Sequence, residues 1–206
     1  MDLLSIASGS SGNCYYVGSE ETHLLVDAGV SGKKIESALN EIDRKPSDLN
    51  GILVTHEHID HVKGLGVMAR KHGIPIYTTG GTISEIKKMS SVGTIDDSLF
   101  HEIEPDEPFF INDLSIDASA IWHDAADPVC YSISDGKSKF SIATDMGNYD
   151  EYVVNKLKNS DIMVIEANHD IRMLQAGPYP YYLKQRILGN RGHLSNERSG
   201  QLIRAL

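Results

Sequence analysis

The sequence contains few cysteines, no long apolar run and no excess of positive charge. Only two of its 206 residues are cysteine, and Cys14 and Cys130 belong to no Cys-x-x-Cys pair. This spacing argues against a disulfide framework or a zinc knuckle and favours buried, reduced thiols. No apolar run approaches the roughly 18–20 residues that span a bilayer, and residues 1–7 lack the features of a signal peptide. We therefore expect a soluble cytoplasmic protein with no membrane partner.

The net charge of −10 argues against a protein that binds nucleic acid through overall positive charge. The charge is unevenly distributed, because residues 171–206 carry six Lys or Arg and one acidic residue, whereas residues 91–170 carry four against 17. The basic C-terminal part is either a solvated helical face or an edge that binds phosphate. The sequence leaves both interpretations open.

The hydrophobic pattern predicts alternating strands and helices in one domain spanning residues 1–206. Short β-rich segments at 3–7, 14–17 and 22–26 are separated by Ser/Gly turns, and a helical pattern follows from Ser31 to before Pro46. Residues 51–55 and 74–78 read as buried strands, and residues 63–72 and 82–89 as helices. The second half predicts strands at 114–121, 130–134, 140–144 and 162–165, a helix at 149–158 and three further helical pieces. This order predicts two packed sheets covered on the outside by helices.

The strongest chemical signal is the segment His56-Glu57-His58-Ile59-Asp60-His61, directly after a predicted buried strand. Imidazole and carboxylate are ligands that suit Zn²⁺, Mn²⁺ or Fe²⁺, and the absence of thiolates favours an open, hydrolytic site. His56 and His58 point to the same side in an extended chain, so this segment can serve two ions. Glu57 is expected to face solvent or to support the site, not to be a ligand.

This segment resembles the metal motif of the metallo-β-lactamase superfamily. Asp27-Ala28-Gly29 resembles that superfamily's first motif, whose Asp supports the metal loop, and His123 and Asp145 resemble its later ligands. The resemblance implies an α+β fold, the four-layer αββα metallo-β-lactamase sandwich. It also implies that His56, His58 and His123 hold one divalent ion, while Asp60 and His61 hold a second, with Asp145 between them.

Taken alone, three of these residues have simpler explanations. Asp27 could be an ordinary turn carboxylate, and His123 could belong to a surface loop. Asp145 could cap the helix predicted near residue 149. The positions of these residues in the motifs favour the metal-site interpretation.

The second half of the chain resembles the nuclease branch of the superfamily. Glu166-Ala167-Asn168-His169-Asp170 and Gly192-His193-Leu194-Ser195-Asn196 are similar to paired motifs of tRNase Z proteins, in which a Glu orients a His that assists proton transfer. The resemblance implies that Glu166 and His193 form this catalytic pair. Alternatively, Ser195 caps a helix and His193 is an incidental neighbour, or His193 is a last metal ligand.

Together with the loop at residues 8–13, these motifs look like those of the YycJ/WalJ-like exonuclease group over essentially the whole chain. Phosphate binding by that loop is only weakly indicated, so it is left out of the predicted site. In the nuclease relatives a further metal-binding His lies on a strand beyond the Gly-His motif helix, and this chain ends at Leu206 within that helix. The expectation is therefore a domain truncated at its C-terminus, with that strand missing.

These observations predict a metal-dependent hydrolase, specifically a phosphodiesterase with two divalent ions, Zn²⁺ or Mn²⁺. The resemblance implies a 5′-to-3′ exonuclease acting on DNA, with RNA as another possible substrate, and with Asp60, Glu166 and His193 as catalytic residues. Two alternatives remain open: a hydrolase of small esters or thioesters with the same fold, and a truncated metal-binding protein without turnover.

Overall fold

The computed structural model describes all 206 residues as two β-sheets packed face to face with helices outside them. The strands are β1 (Asp2–Ala7), β2 (Cys14–Gly18), β3 (His23–Val26), β4 (Gly51–Leu53), β5 (Ile76–Thr78), β6 (Phe100–Glu102), β7 (Phe109–Ile111), β8 (Leu114–Ala120), β9 (Val129–Ser134), β10 (Lys139–Ala143) and β11 (Ile162–Ile165). The helices are α1 (Gly32–Glu41), α2 (Ile59–Val62), α3 (Leu65–His72), α4 (Gly80–Lys88), α5 (Glu151–Leu157), α6 (Ile171–Ala176), α7 (Tyr181–Leu188) and α8 (Asn196–Ala205). None of the helices combines the length and apolarity needed to cross a bilayer.

The first sheet has the strand order β1-β2-β3-β4-β5-β6. Its first three strands form an antiparallel meander, with Leu4 opposite Tyr16 and Tyr16 opposite Leu25. Strands β3 to β6 are parallel, and the helices between them provide the crossovers that parallel strands require. Strand β4 is buried along its whole length, as expected for a strand covered on both faces.

The second sheet has the order β11-β10-β9-β8-β7. Strands β7 to β10 are antiparallel neighbours, and β11 is parallel to β10, with Ala143 opposite Ile165. Strands β8, β10 and β11 therefore run in the same direction. The carboxyl ends of these three strands therefore lie at the same end of the sheet.

Three apolar cores fill the spaces between the layers. The central core joins the sheets through residues such as Leu24 and Leu53 from the first and Tyr131 and Phe140 from the second. A second core packs the first sheet against α1, α3 and α4, and a third packs the other sheet against α5 and α8. The order of layers is helix, sheet, sheet, helix, which confirms the predicted αββα arrangement.

Specific residues set the ends of the first helices. Ser31 caps α1 as its side chain accepts a hydrogen bond from Lys34 N, and Gly73 ends α3 in a left-handed conformation with φ 66°. The helix predicted at 63–72 is α3 (Leu65–His72), and a separate short helix, α2, ends before it at Val62. Gly64, the residue before α3, donates its N–H to Ala28 O at 2.7 Å. This hydrogen bond ties the start of α3 to the loop that follows β3.

Candidate metal centre

The predicted site residues follow strand ends on both sheets. Asp27 follows β3 and the segment 56–61 follows β4. On the second sheet, His123, Asp145 and Glu166 follow β8, β10 and β11 in turn. Val129 N donates to Thr55 O at 3.0 Å, which joins the two sheets beside this cluster. The fold therefore brings residues more than 100 positions apart in the sequence to one rim of the sandwich.

Asp27 holds the histidine segment in place through hydrogen bonds to Thr55 and His61. Its Oδ2 accepts a hydrogen bond from His61 Nδ1 at 2.7 Å, and its Oδ1 accepts one from Thr55 N at 2.9 Å. The Thr55 hydroxyl also lies 3.0 Å from His56 Nδ1. Because Nδ1 of both histidines is engaged in this way, Nε2 of each ring is left to face the cluster.

The first group of potential metal ligands consists of His56, His58 and His123, whose nearest donor atoms lie within 4.8 Å of one another. His123 Nδ1 donates to Gly192 O at 3.1 Å, so its Nε2 carries a lone pair and faces His58 Nδ1 at 3.2 Å. His56 Nε2 is buried and has no hydrogen-bond partner. Converging imidazole nitrogens, one of them buried without a partner, fit a divalent cation and have no other evident purpose.

His56, His61 and Asp145 form a second group within the same 4.8 Å limit. Asp145 Oδ2 lies 2.8 Å from His61 Nε2. Asp60 lies beside this group, with Oδ2 3.7 Å from His61 Nε2, but it belongs to none of the three compact ligand groups. The predicted metal residues thus lie near one another, with Asp60 outside the compact groups.

The third group consists of Asp145, Glu166 and His193. His193 Nδ1 lies 2.6 Å from Glu166 Oε1 and 3.1 Å from Asp145 Oδ1. Glu166 Oε2 accepts hydrogen bonds from Met146 N and Leu194 N, so the carboxylate itself is held firmly. Ser195 does cap α8, but His193 is not an incidental neighbour, since it contacts two carboxylates.

Burial and hydrogen bonds to charged groups shift the pKa values of these side chains, and at Asp145 and His193 they act in opposite directions. Burial lowers the pKa of His123 to about 4 and holds the pKa of His56 well below its usual range, so both rings are neutral ligands at neutral pH. Burial alone would raise the pKa of Asp145, but hydrogen bonds from His193 and His61 lower it strongly. Burial likewise opposes the charged form of His193, yet hydrogen bonds to Asp145 and Glu166 raise its pKa to about 10.

Two acidic residues of the site have left-handed backbones, with φ 60° at Asp27 and φ 55° at Asp145. Such conformations are uncommon for residues other than glycine and are frequent at functional sites. Gly29 allows a close approach nearby, because a Cβ there would overlap the carbonyl oxygen of Asp60. The backbone around the cluster therefore requires left-handed conformations at Asp27 and Asp145 and the absence of a side chain at Gly29.

The structure adds contributors that the sequence did not reveal. The Ser8–Asn13 loop lines a cavity of about 390 Å³ together with Asp60, Asp145 and His193. Asn13 Nδ2 lies 3.1 Å from His61 Nε2, and Asn13 N donates to Asp60 O at 2.7 Å. Glu57, expected from the sequence to face solvent or to support the site, supports it, since its Oε1 accepts a hydrogen bond from Ala126 N in the loop after His123.

Comparison with known proteins supports this description. The family described as Beta-lactamase superfamily domain matches residues 22–206. Exodeoxyribonuclease WalJ of Streptococcus pneumoniae serotype 2 is 43% identical over 202 residues, covering 98% of this chain and 75% of that protein. Exodeoxyribonuclease YycJ of Bacillus anthracis is 38% identical over 192 residues, covering 93% of this chain and 72% of that protein. The crystal structure of human tRNase Z, short form, superposes with a TM-score of 0.74 at 17% identity, covering 100% of this chain and 88% of that one, which is a likeness of fold alone.

Proposed function

The chain belongs to the beta-lactamase superfamily and has the metallo-β-lactamase fold, and from this premise we propose that it is a DNA exonuclease with a dinuclear metal centre. The resemblance expected from the sequence motifs is confirmed, and the chain is a member of a family of metal-dependent hydrolases. The names of the two exodeoxyribonuclease relatives support DNA as the substrate. The observation that carries the proposal is the convergence of six imidazole and carboxylate groups beside the His193–Glu166 pair.

The proposed ligands divide between two divalent ions, Zn²⁺ or Mn²⁺. His56, His58 and His123 would hold one ion, and Asp60 and His61 the other, with Asp145 between them. When bound, such ions supply Lewis acidity and positive charge for attack on a phosphodiester. The carboxylates of Asp60 and Asp145 supply the negative charge that retains the ions.

His193 is the proposed general acid. Glu166 accepts a hydrogen bond from its Nδ1, which fixes the ring and leaves Nε2 free to donate a proton to the leaving 3′-oxygen. Hydrogen bonds to Asp145 and Glu166 raise the pKa of His193, which is the direction that favours a proton donor. Glu166 does not touch substrate in this scheme and is a positioning residue.

The uneven charge of the chain suggests where DNA would lie. The acidic groups of the metal cluster would repel phosphate until cations neutralise them. The basic segment 171–206 is the proposed contact for the DNA backbone, through Lys184, Arg186, Arg191 and Arg198. We propose 5′-to-3′ polarity, a cytoplasmic location and a single domain over residues 1–206 as further parts of the same hypothesis.

The direct test is an Asp60→Asn variant assayed on a 5′-phosphorylated duplex with added Zn²⁺ or Mn²⁺. We expect metal-dependent release of nucleotides by the wild type and its loss in the variant, because Asp60 loses the charge that retains an ion. Asp43→Asn is a matched control, since Asp43 is exposed and also has a positive φ, of 56°. Unchanged release by Asp60→Asn would reject its role.

Labelling the duplex at either the 5′ or the 3′ end tests polarity in the same reactions. Early release of the 5′ label as a mononucleotide supports the proposed direction. A parallel assay with a thioester tests the alternative substrate class. Turnover of the thioester with no release of nucleotides would replace the nuclease proposal by the small-molecule one.

A further inference from the structure

A second cavity also has His193 among its lining residues. It has a volume of about 420 Å³, within the range of small-ligand pockets. We name it the Arg198 cavity, and its principal lining residues are Asn148, His169, Leu188, Asn190, His193 and Arg198. No carboxylate lines it, whereas the cavity that His193 shares with the Ser8–Asn13 loop contains Asp60, Asp145 and Glu166. In a chain of net charge −10, a carboxylate-free cavity beside a proposed general acid suits an anionic group.

Arg198 is the fixed positive charge of this cavity. Its guanidinium lies 4.5 Å from the centre of the Tyr149 ring and donates to Asn148 Oδ1 at 2.7 Å and to Gln201 Oε1 at 3.2 Å. A guanidinium has five N–H donors, and no carboxylate lies within ion-pair distance of this one. By contrast, Arg186 is paired with Asp124, with Nε 2.5 Å from Oδ2. Arg198 therefore has no carboxylate partner that competes with a ligand, whereas Arg186 has one.

His169 lines the same cavity. Its Nε2 is buried and has no hydrogen-bond partner in the protein, which is unusual for a polar atom. The backbone around it is fixed, because Asn196 N donates to His169 O at 2.9 Å. His169 and a held guanidinium thus line the same small cavity.

We propose that the Arg198 cavity binds the backbone phosphate of the nucleotide next to the scissile bond, on the side of the leaving 3′-oxygen. This inference rests on the proposed nuclease function and on His193 as the donor to that oxygen. His193 lines both cavities, so a terminal nucleotide whose scissile phosphate lies at the metal cluster would extend past His193 and place its own 5′-phosphate in the Arg198 cavity. Arg198 and His169 are binding residues for the nucleotide that is released and not for the phosphate that is attacked.

The test compares Arg198→Gln with Arg204→Gln, which removes the same charge from an exposed position on the same helix. Each variant is assayed on a 5′-phosphorylated oligonucleotide and on bis(p-nitrophenyl) phosphate, which has a single phosphate and cannot fill both cavities. We expect Arg198→Gln to lower kcat/KM at least about ten-fold more for the oligonucleotide than for the small diester, since a charged hydrogen bond to phosphate is lost. We expect no such difference for Arg204→Gln. His169→Ala should show the same preference for the small diester, and circular dichroism checks the folding of each variant.

Binding of a labelled single-stranded phosphorothioate oligonucleotide, which resists cleavage, to the metal-loaded protein separates this inference from the proposed function. Loss of one phosphate contact should reduce the slope of log K against log salt concentration by about 0.7 in Arg198→Gln and leave it unchanged in Arg204→Gln. Equal slopes in the two variants, or equal losses on both substrates, would overturn the Arg198 cavity while leaving the nuclease proposal intact. If the wild type cleaves neither substrate, the nuclease proposal fails, and equal slopes would then remove the binding site as well.

Discussion

The carboxylate of Asp27 accepts a hydrogen bond from His61 Nδ1 at 2.7 Å, and both side chains are completely buried. This contact fixes which nitrogen of His61 is available to a cation. It also connects the first sheet to the metal cluster, since Asp27 holds Thr55 N through its other oxygen. The residue acts on the metal through its neighbours and not as a ligand.

Replacing Asp27 by Asn should therefore weaken metal binding without removing a ligand. The amide cannot match the charge of the carboxylate beside His61, and loss of such a supporting contact typically costs 10–100-fold in metal affinity. Titration of the metal-free protein with Zn²⁺, followed by calorimetry, measures this directly. Asp43→Asn is the control, as Asp43 has the same left-handed backbone in an exposed position. Equal Zn²⁺ affinity in the two variants would contradict the supporting role.

Gly29 should be irreplaceable for a different reason. A Cβ at this position would overlap the carbonyl oxygen of Asp60 and crowd Asn13 N. We expect Gly29→Ala to lower the free energy of unfolding by about 1–3 kcal/mol, as overpacking does, and to displace the metal loop. Urea denaturation measures the change in stability.

Gly200→Ala is the matched control for this substitution. A Cβ on Gly200 meets no atom within 4 Å, and the residue lies within α8. This variant should be more stable by about 0.5–1 kcal/mol, because alanine is the better helix former. If both variants behaved alike, steric overlap at Gly29 would not be the explanation.

The sequence predicted most of the fold because its buried strands are continuous apolar runs. The strand predicted at 162–165 has the observed bounds, and most others differ at their ends by one or two residues. Strands β6 and β7 were missed because each has three residues and lies at a sheet edge, where little burial constrains the sequence. The position of such short edge strands is determined by the neighbouring strand and not by a hydrophobic pattern in their own sequence.

The metal cluster was predictable for a related reason: four of its proposed ligands lie within the six residues 56–61. The supporting contacts were not predictable to the same extent. Asn13 is 48 positions from His61, and nothing in a Ser/Gly-rich turn indicates that its amide will face an imidazole. The group that orients His123 is the backbone carbonyl of Gly192, and every residue has a carbonyl. Contacts of this kind depend on packing across the sandwich.

Divalent metal should stabilise the protein through His56 in particular. Its buried Nε2 has no hydrogen-bond partner in the protein. A cation that binds this nitrogen together with the other ligands binds the folded state and not the unfolded chain, and so stabilises the fold. At about 100 times its Kd, Zn²⁺ should raise the free energy of unfolding by about 2.7 kcal/mol, and EDTA should reverse this gain. Thermal unfolding with and without Zn²⁺ measures the increment. We expect His56→Ala to lose most of it and His101→Ala, at an exposed position on β6, to keep it. An undiminished increment in His56→Ala would place the stabilising cation elsewhere.

The two thiols should be inert in the folded protein, as expected from their spacing in the sequence. Cys14 and Cys130 are both buried and unpaired. Burial raises the pKa of the Cys130 thiol from 9.0 to about 12 and raises that of Cys14 as well. Because the folded state favours the neutral thiols, their contribution to stability is complete below pH 9 and is lost as the pH rises towards 12.

At pH 8 we expect Ellman's reagent to find no reactive thiol in the native protein and two per chain in urea, and the free energy of unfolding should fall above pH 9. Rapid reaction of the native protein at pH 8 would show that at least one thiol is accessible without unfolding.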